Sequence, residues 1–83
     1  MNLLHVGYEQ MVNADKISAI TKYNALSIRK RVQFAKENNR IIDCTRGYET
    51  RSVIFLDDGQ IVLSHISCKA LSKRNGENAN SYN

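Results

Sequence analysis

Residues 53–66 read V-I-F-L-D-D-G-Q-I-V-L-S-H-I, two apolar runs joined by a short polar one. Asp58-Gly59 is a hairpin signal, because a two-residue type I′ turn needs positive φ at both central positions and glycine adopts it without steric cost. On that reading Leu56 pairs with Ile61, Phe55 with Val62, Ile54 with Leu63 and Val53 with Ser64. One face of the ribbon then carries Ile54, Leu56, Ile61 and Leu63, and the other carries Val53, Phe55 and Val62. His65 falls on the face of Ile54 and Leu63, as a histidine at a buried edge. A ribbon that is apolar on both faces needs two covers.

Upstream there is one clear cover. Asn24 is placed as an N-cap, and Ala25, Ile28, Val32 and Ala35 then recur at helical spacing on one stripe. Asn38-Asn39 ends that helix, Arg29, Lys30 and Lys36 face outward, and Phe34 lies off the stripe. Before it, Leu3-Leu4-His5-Val6, closed by Gly7, reads as a strand; Gln10-Met11-Val12 and Ile17-Ser18-Ala19-Ile20 are two more, with a turn at Asn13-Ala14-Asp15. Between helix and ribbon, residues 40–44 form a further short strand. With one helix for two apolar faces, the preferred expectation is that the spare face, and Phe34 with it, is buried between subunits. The alternative is that the N-terminal strands or residues 69–71 fold across it. After Ser72 the chain is polar and asparagine-rich, which predicts a domain over 1–72 and a disordered tail over 73–83.

Length and composition narrow the classes. A chain of 83 residues with 42% hydrophobic content is one small globular domain. No apolar run approaches the ~20 residues that cross a bilayer, and the first residues lack a signal-peptide pattern, so the expected compartment is the cytoplasm. Cys44 and Cys68 show no CxxC spacing, and with His5 and His65 they form no recognisable zinc motif, so no metal or cofactor is expected. The four glycines are isolated at 7, 47, 59 and 76, which excludes a phosphate-cradling glycine loop. No nucleophile-and-base pair stands out, and the paired carboxylates Asp57-Asp58 are explained by the turn, so neither an enzyme nor a small-molecule substrate is expected.

The charge points elsewhere. The chain is +4 overall, but between residues 16 and 51 nine bases face three acids. A localised basic excess attracts polyanions, nucleic acid above all. Within it lies D-C-T-R-G-Y-E-T-R-S-V, residues 43–53. Arg46 and Arg51 flank a turn at Gly47, with Thr45 and Thr50 as hydroxyl donors, and such a strand-end loop suits phosphate oxygens. No recognition-helix pair, zinc finger or RNP aromatic signature accompanies it.

The order of these pieces resembles the RemA family, small bacterial regulators named for extracellular matrix regulatory protein A. The family pattern of an apolar strand ending I-G and an N-A-N/D-R segment is matched by Val6-Gly7 and Asn13-Ala14-Asp15-Lys16. Its helix opening P-I-K-R is matched by Ser27-Ile28-Arg29-Lys30, and its block L/I-I-D-A-T-Y-G-R-R/K-T-R-A/S-V by residues 41–53. Its closing strand I-L-S-A is matched by Val62-Leu63-Ser64-His65, so the likeness runs without a gap over residues 3–66. The resemblance implies an α+β, LytTR-like, antiparallel β-rich domain with one main helix, forming a ring-shaped homo-oligomer. It further implies a nucleoid-associated transcription regulator of biofilm matrix genes, bound to repeated sites on double-stranded DNA. Carried over by position, the family arginine of the N-A-N/D-R segment falls on Lys16, and the twin basic residues after the glycine fall on Tyr48 and Glu49, with an arginine displaced to Arg46. The DNA-binding edge is therefore rearranged here. The expected phosphate contacts are Lys16, Arg46 and Arg51, with Arg29 and Lys30 behind them and Tyr48 able to stack or hydrogen-bond. The alternative is a scaffold ring of the same fold that has lost DNA binding, with Glu49 contacting a protein.

Overall fold

The turn at Asp57-Asp58-Gly59 fixes the sheet, and it is a three-residue loop. In the computed structural model, which describes residues 2–80, Leu56 N–H donates to the Gln60 carbonyl at 3.0 Å and Gly59 N–H to the Leu56 carbonyl at 3.1 Å. Gly59 has φ +88° while Asp58 stays out of the left-handed region. Three-residue hairpins put glycine at that last position. The Asp58 carboxylate accepts from Gln60 N–H at 3.0 Å, holding the loop from its outer side.

This loop shifts the expected register by one residue. Strand β5 (Ser52–Leu56) pairs antiparallel with β6 (Ile61–Ser64) as Ser52↔Ser64, Val53↔Leu63, Ile54↔Val62 and Phe55↔Ile61. A one-residue slip moves side chains to the opposite face, so Val62 joins Ile54 and Leu63 joins Val53. The reason for the correction is local: Asp58-Gly59 satisfies both loop lengths, and the three-residue form asks only glycine to take positive φ.

Upstream, β1 (Leu3–Gly7) and β2 (Gln10–Asn13) form a separate two-stranded ribbon, followed by a 3₁₀ turn at Ala14–Lys16 and by β3 (Ile17–Lys22). Helix α1 (Leu26–Glu37) leads to β4 (Ile41–Asp43). The four-stranded sheet has the order β3-β5-β6-β4, with β4 parallel to β6 and the other pairs antiparallel. The unit β3-α1-β4 is thus a crossover split by the β5–β6 hairpin. Ser18 is the extra residue of a β-bulge between Ile17 and Ala19, and its hydroxyl donates to the Phe55 carbonyl at 3.1 Å.

Each sheet face has its own cover. Val32, Ala35 and Ile28 of α1 pack on Val53, Ile61 and Leu63, with Tyr23, Ile41 and Phe55 at the margin. On the other face, Ile54, Val62 and Cys44 meet Leu4 and Val6 of β1 and Leu71 of a second helix, α2 (Cys68–Asn80). The face expected to await another subunit is therefore closed from within the chain, by the alternating apolar residues of β1 and by a helix the sequence reading lacked. Phe34, at 58% exposure, stays uncovered.

The two helices differ from expectation at their starts. The N-cap position of α1 is Ala25, with no side-chain cap bond, one residue later than Asn24. Its end is as read: Asn38 Nδ2 donates to the Phe34 carbonyl at 2.8 Å, and Asn39 takes φ +55°. For α2, Ser67 supplies the cap, its hydroxyl accepting from Ala70 N–H at 3.2 Å. The backbone is helical as far as Asn80, where a structureless tail was expected from residue 73. Arg74 Nη1 donates to the His5 carbonyl at 3.2 Å, tying the helix to β1; residues 81–83 of that expected tail lie outside the described residues.

Leu71 is fully buried. Leu71→Ala should therefore cost about 2–5 kcal/mol, lowering the urea midpoint with an unchanged slope, whereas Met11→Ala at a 54% exposed position should stay within about 0.5 kcal/mol. A Leu71→Ala chain as stable as wild type would mean that α2 does not close this face.

Candidate nucleic-acid interface

The stretch 43–51 leaves β4 on one side of β6 and enters β5 on the other, so it passes over the end of β6. Cys44 N–H donates to the Leu63 carbonyl at 2.9 Å and Arg51 N–H to the Ser64 carbonyl at 2.9 Å, pinning both ends. Asp43 organises the entry: its carboxylate accepts from the Thr45 hydroxyl at 2.6 Å and from Thr45 N–H at 2.8 Å. These two bonds, the hydroxyl's foremost, hold the Asp43 carboxyl below its ordinary pKa. An ion pair between Asp43 and Arg51 would be the simplest alternative partner; Thr45 takes that place. Next comes a tight turn, with Tyr48 N–H donating to the Thr45 carbonyl at 3.0 Å and with Arg46 and Gly47 at φ +53° and +85°. Consecutive positive φ values are what a type I′ turn requires.

Two neighbourhoods flank this loop. The first is a cleft of about 610 Å³. Lys22, Tyr23 and Asn24 enter it from the end of β3, Arg29 from α1, Glu49, Thr50 and Arg51 from the loop, and Ser67, Cys68 and Lys69 from the start of α2. Four cations there face one carboxylate. The Arg29 guanidinium lies 5.3 Å from the Tyr23 ring centroid, and Tyr23 N–H donates to the Arg51 carbonyl at 3.3 Å, so the two arginines share one support. The first turn of α2 carries no acid, which leaves the positive end of its dipole directed to this region.

The second neighbourhood is aromatic. Tyr8 stacks on Tyr48 at a centroid distance of 5.7 Å with an interplanar angle of 18°, and meets the His65 ring at 4.6 Å with a tilt of 30°. The Arg46 guanidinium sits 5.3 Å from the Tyr8 centroid. His65 can come this close because Gly7 has no side chain: a Cβ there would lie 2.7 Å from His65 Cε1. Burial pushes the Tyr8 phenol above its ordinary pKa and Tyr48 adds to the shift, while Arg46 opposes it. Beneath the loop, burial and then the Asp43 charge push the Cys44 thiol up, which keeps it protonated and unreactive.

Of the six expected contact residues, the structure brings Arg29 and Arg51 together in the cleft. Arg46 and Tyr48 belong to the aromatic cluster instead. Lys30 is exposed on α1 outside the cleft. Lys16 lies at the far end of β3, where its carbonyl accepts from Asp57 N–H at 2.8 Å. At ~3.3 Å per residue it is about 20 Å along the strand from Lys22. Lys22 and Lys69 were not foreseen as contacts. Lys69 had a usable signal, the Ser67 cap followed by Cys68 and Leu71 at helical spacing; Lys22 had none beyond its charge. Among the described residues, no three of His, Cys, Asp and Glu gather as metal ligands, and no helix is long and apolar enough to cross a membrane.

Comparison with known proteins matches residues 3–74 to the family described as "RemA-like: Extracellular matrix regulatory protein A-like". Proteins named "Putative regulatory protein" from Bacillus cytotoxicus, Bacillus mycoides and a strain of Bacillus cereus are each 40% identical to this chain over 74 residues, covering 89% of it and 85% of their own length.

Thr45 is 3% exposed, so Thr45→Val should lose a hydrogen bond to a charged group. A cost of about 1 kcal/mol is expected, at the low end because the carboxylate is solvent-exposed. Since the folded-state pKa of Asp43 is depressed, its contribution is present above the ordinary carboxylate range and is lost as pH falls through the folded value. The variant should show a higher Asp43 pKa by NMR and a smaller acid-induced loss of stability; an unmoved pKa would show that Thr45 does not set it.

Proposed function

The chain belongs to the RemA-like family, and from that premise we propose that it is a non-enzymatic DNA-binding transcriptional regulator acting as an oligomeric ring. The observation that carries this reading is the cleft. Lys22, Arg29, Arg51 and Lys69 converge from four separate elements around Thr50 and Ser67 hydroxyls, with Glu49 as the single acid. Forked guanidinium donors, ammonium groups and short hydroxyls are the groups that bind phosphate oxygens. The donors of the cleft suit phosphate oxygens, so the expected binding is dominated by the DNA backbone and is sensitive to salt. The regulatory names of the relatives agree with such a role.

Ring assembly has support in exposed apolar groups outside the core. Leu26 and Phe34 of α1 are 69% and 58% exposed, and Ile42 on the edge strand β4 is 38% exposed. Both β3 and β4 are sheet edges with unpaired backbone groups. Unlike edges presented by one chain favour head-to-tail contact, which closes into a ring when the rotation permits. A ring multiplies weak single-site binding through multivalency.

Glu49 favours a second reading, a scaffold ring of the same fold, because a carboxylate in the cleft repels phosphate and could meet a protein cation. The two separate on salt titrations. For a DNA binder, Arg29→Ala and Arg51→Ala should each weaken binding to all duplexes alike and reduce the slope of log affinity against log salt by about one per contact made. Glu49→Arg should tighten binding and steepen the slope. Light scattering at micromolar concentration should report several subunits. If both alanine variants bind as wild type and Glu49→Arg changes nothing, the scaffold reading replaces this one.

A further inference from the structure

Gly7, Tyr8, Glu9, Arg46 and Gly47 have φ values of +124°, +50°, +63°, +53° and +85°. Three of the five carry side chains, for which the left-handed region is unfavourable. The hydrophobic core does not need this strain, since Tyr8 and Tyr48 are 36% and 64% exposed. What the two turns secure is one surface: Tyr48 laid nearly parallel to Tyr8, His65 behind them, and Arg46 over the Tyr8 ring. His65 Nδ1 is buried there with no hydrogen-bond partner among the described residues, so the ring acts by its face rather than its polar edge.

We propose that this surface is a stacking platform for a nucleobase that is unpaired or turned out of its stack, so that the chain prefers nucleic acid carrying such a base over uninterrupted duplex. The inference rests on the DNA-binding reading and specifies its substrate class. Tyr48 offers a free π-face, and Tyr8 backs it. Arg46 supplies a cation beside the rings, which favours a polyanion over an uncharged apolar peptide. Tyr48 is followed directly by Glu49, Thr50 and Arg51, which line the basic cleft. A phosphate groove next to exposed aromatic rings is the arrangement that holds single-stranded nucleic acid. Bases within a duplex have no free face to offer, so stacking discriminates between the two forms.

The test uses two labelled duplexes of one sequence, one uninterrupted and one with a single bulged adenosine, titrated by fluorescence anisotropy across a salt series. Wild type should bind the bulged duplex tighter by on the order of tenfold. Tyr48→Ala should erase that preference while leaving affinity for the uninterrupted duplex and its salt slope unchanged, and Tyr48→Phe should keep the preference. Equal, salt-sensitive binding to both duplexes by wild type would overturn the platform and leave the DNA-binding reading standing. Binding to neither would overturn both. Equal weakening of both by Tyr48→Ala would make Tyr48 a general contact, and a change in assembly size without a change in binding would make it a subunit contact; either overturns the platform.

Discussion

Gly59 in the left-handed region, at the end of a three-residue loop, decides which residues of β5 and β6 face which way. Given that register, Val53, Ile61 and Leu63 line one face and Ile54 and Val62 the other. The first set receives the stripe of α1, and the second receives β1 and α2. Two hydrogen bonds and one positive φ thus determine the composition of both cores. A two-residue loop would put Leu63 with Ile54 and leave both faces mixed, with neither cover matched to its surface.

That sensitivity explains what the sequence could and could not reveal. The elements were legible because their cues are local: the apolar run closed by Gly7 in β1, helical spacing at Ile28, Val32 and Ala35, and the Asn38-Asn39 stop. The register was not, because Asp58-Gly59 is compatible with two loop lengths and only the packing of both faces distinguishes them. The ribbon is apolar on both faces in either register; it was read as short of a cover because the second helix was not read from the sequence. Cys68, Lys69 and Leu71 lie at the edge of a polar, asparagine-rich stretch whose composition argues against helix. Packing of Leu71 into the core overrides that preference, as tertiary contacts commonly do.

The site was legible in part for a related reason. Charge density located the loop at residues 43–51 and Gly47 its turn, whereas Thr45, read as a hydroxyl donor to phosphate, is buried and donates to Asp43 instead. Which cations converge depends on strands far apart in sequence, so the expected set was divided. Arg51 and Arg29 meet in the cleft, Arg46 is drawn over Tyr8, and Lys16 stands at the other end of β3. The cap at Ser67 could have placed Lys69 at a helix start, but no local pattern places Lys22 beside Arg51. Tyr48 and Glu49, which replace basic residues of the resembling pattern, sort the same way: one joins the rings and the other the cleft.

Two buried serines tie these arrangements together. Ser52 and Ser64 face each other across β5 and β6 and are fully buried. The Ser64 hydroxyl donates to the Val6 carbonyl at 2.7 Å and accepts from Ile66 N–H at 3.1 Å, while the Ser52 hydroxyl donates to the Ile66 carbonyl at 2.7 Å. Buried hydroxyls are costly unless paired, so these bonds specify a single arrangement. They fasten β1 to the sheet just before Gly7 and Tyr8, and they hold Ile66 between His65 and Ser67. His65 thereby reaches the aromatic surface while Ser67 caps α2 at the cleft. The two neighbourhoods flank one pinned segment, so disturbing either serine would displace the ring cluster and the basic cleft together.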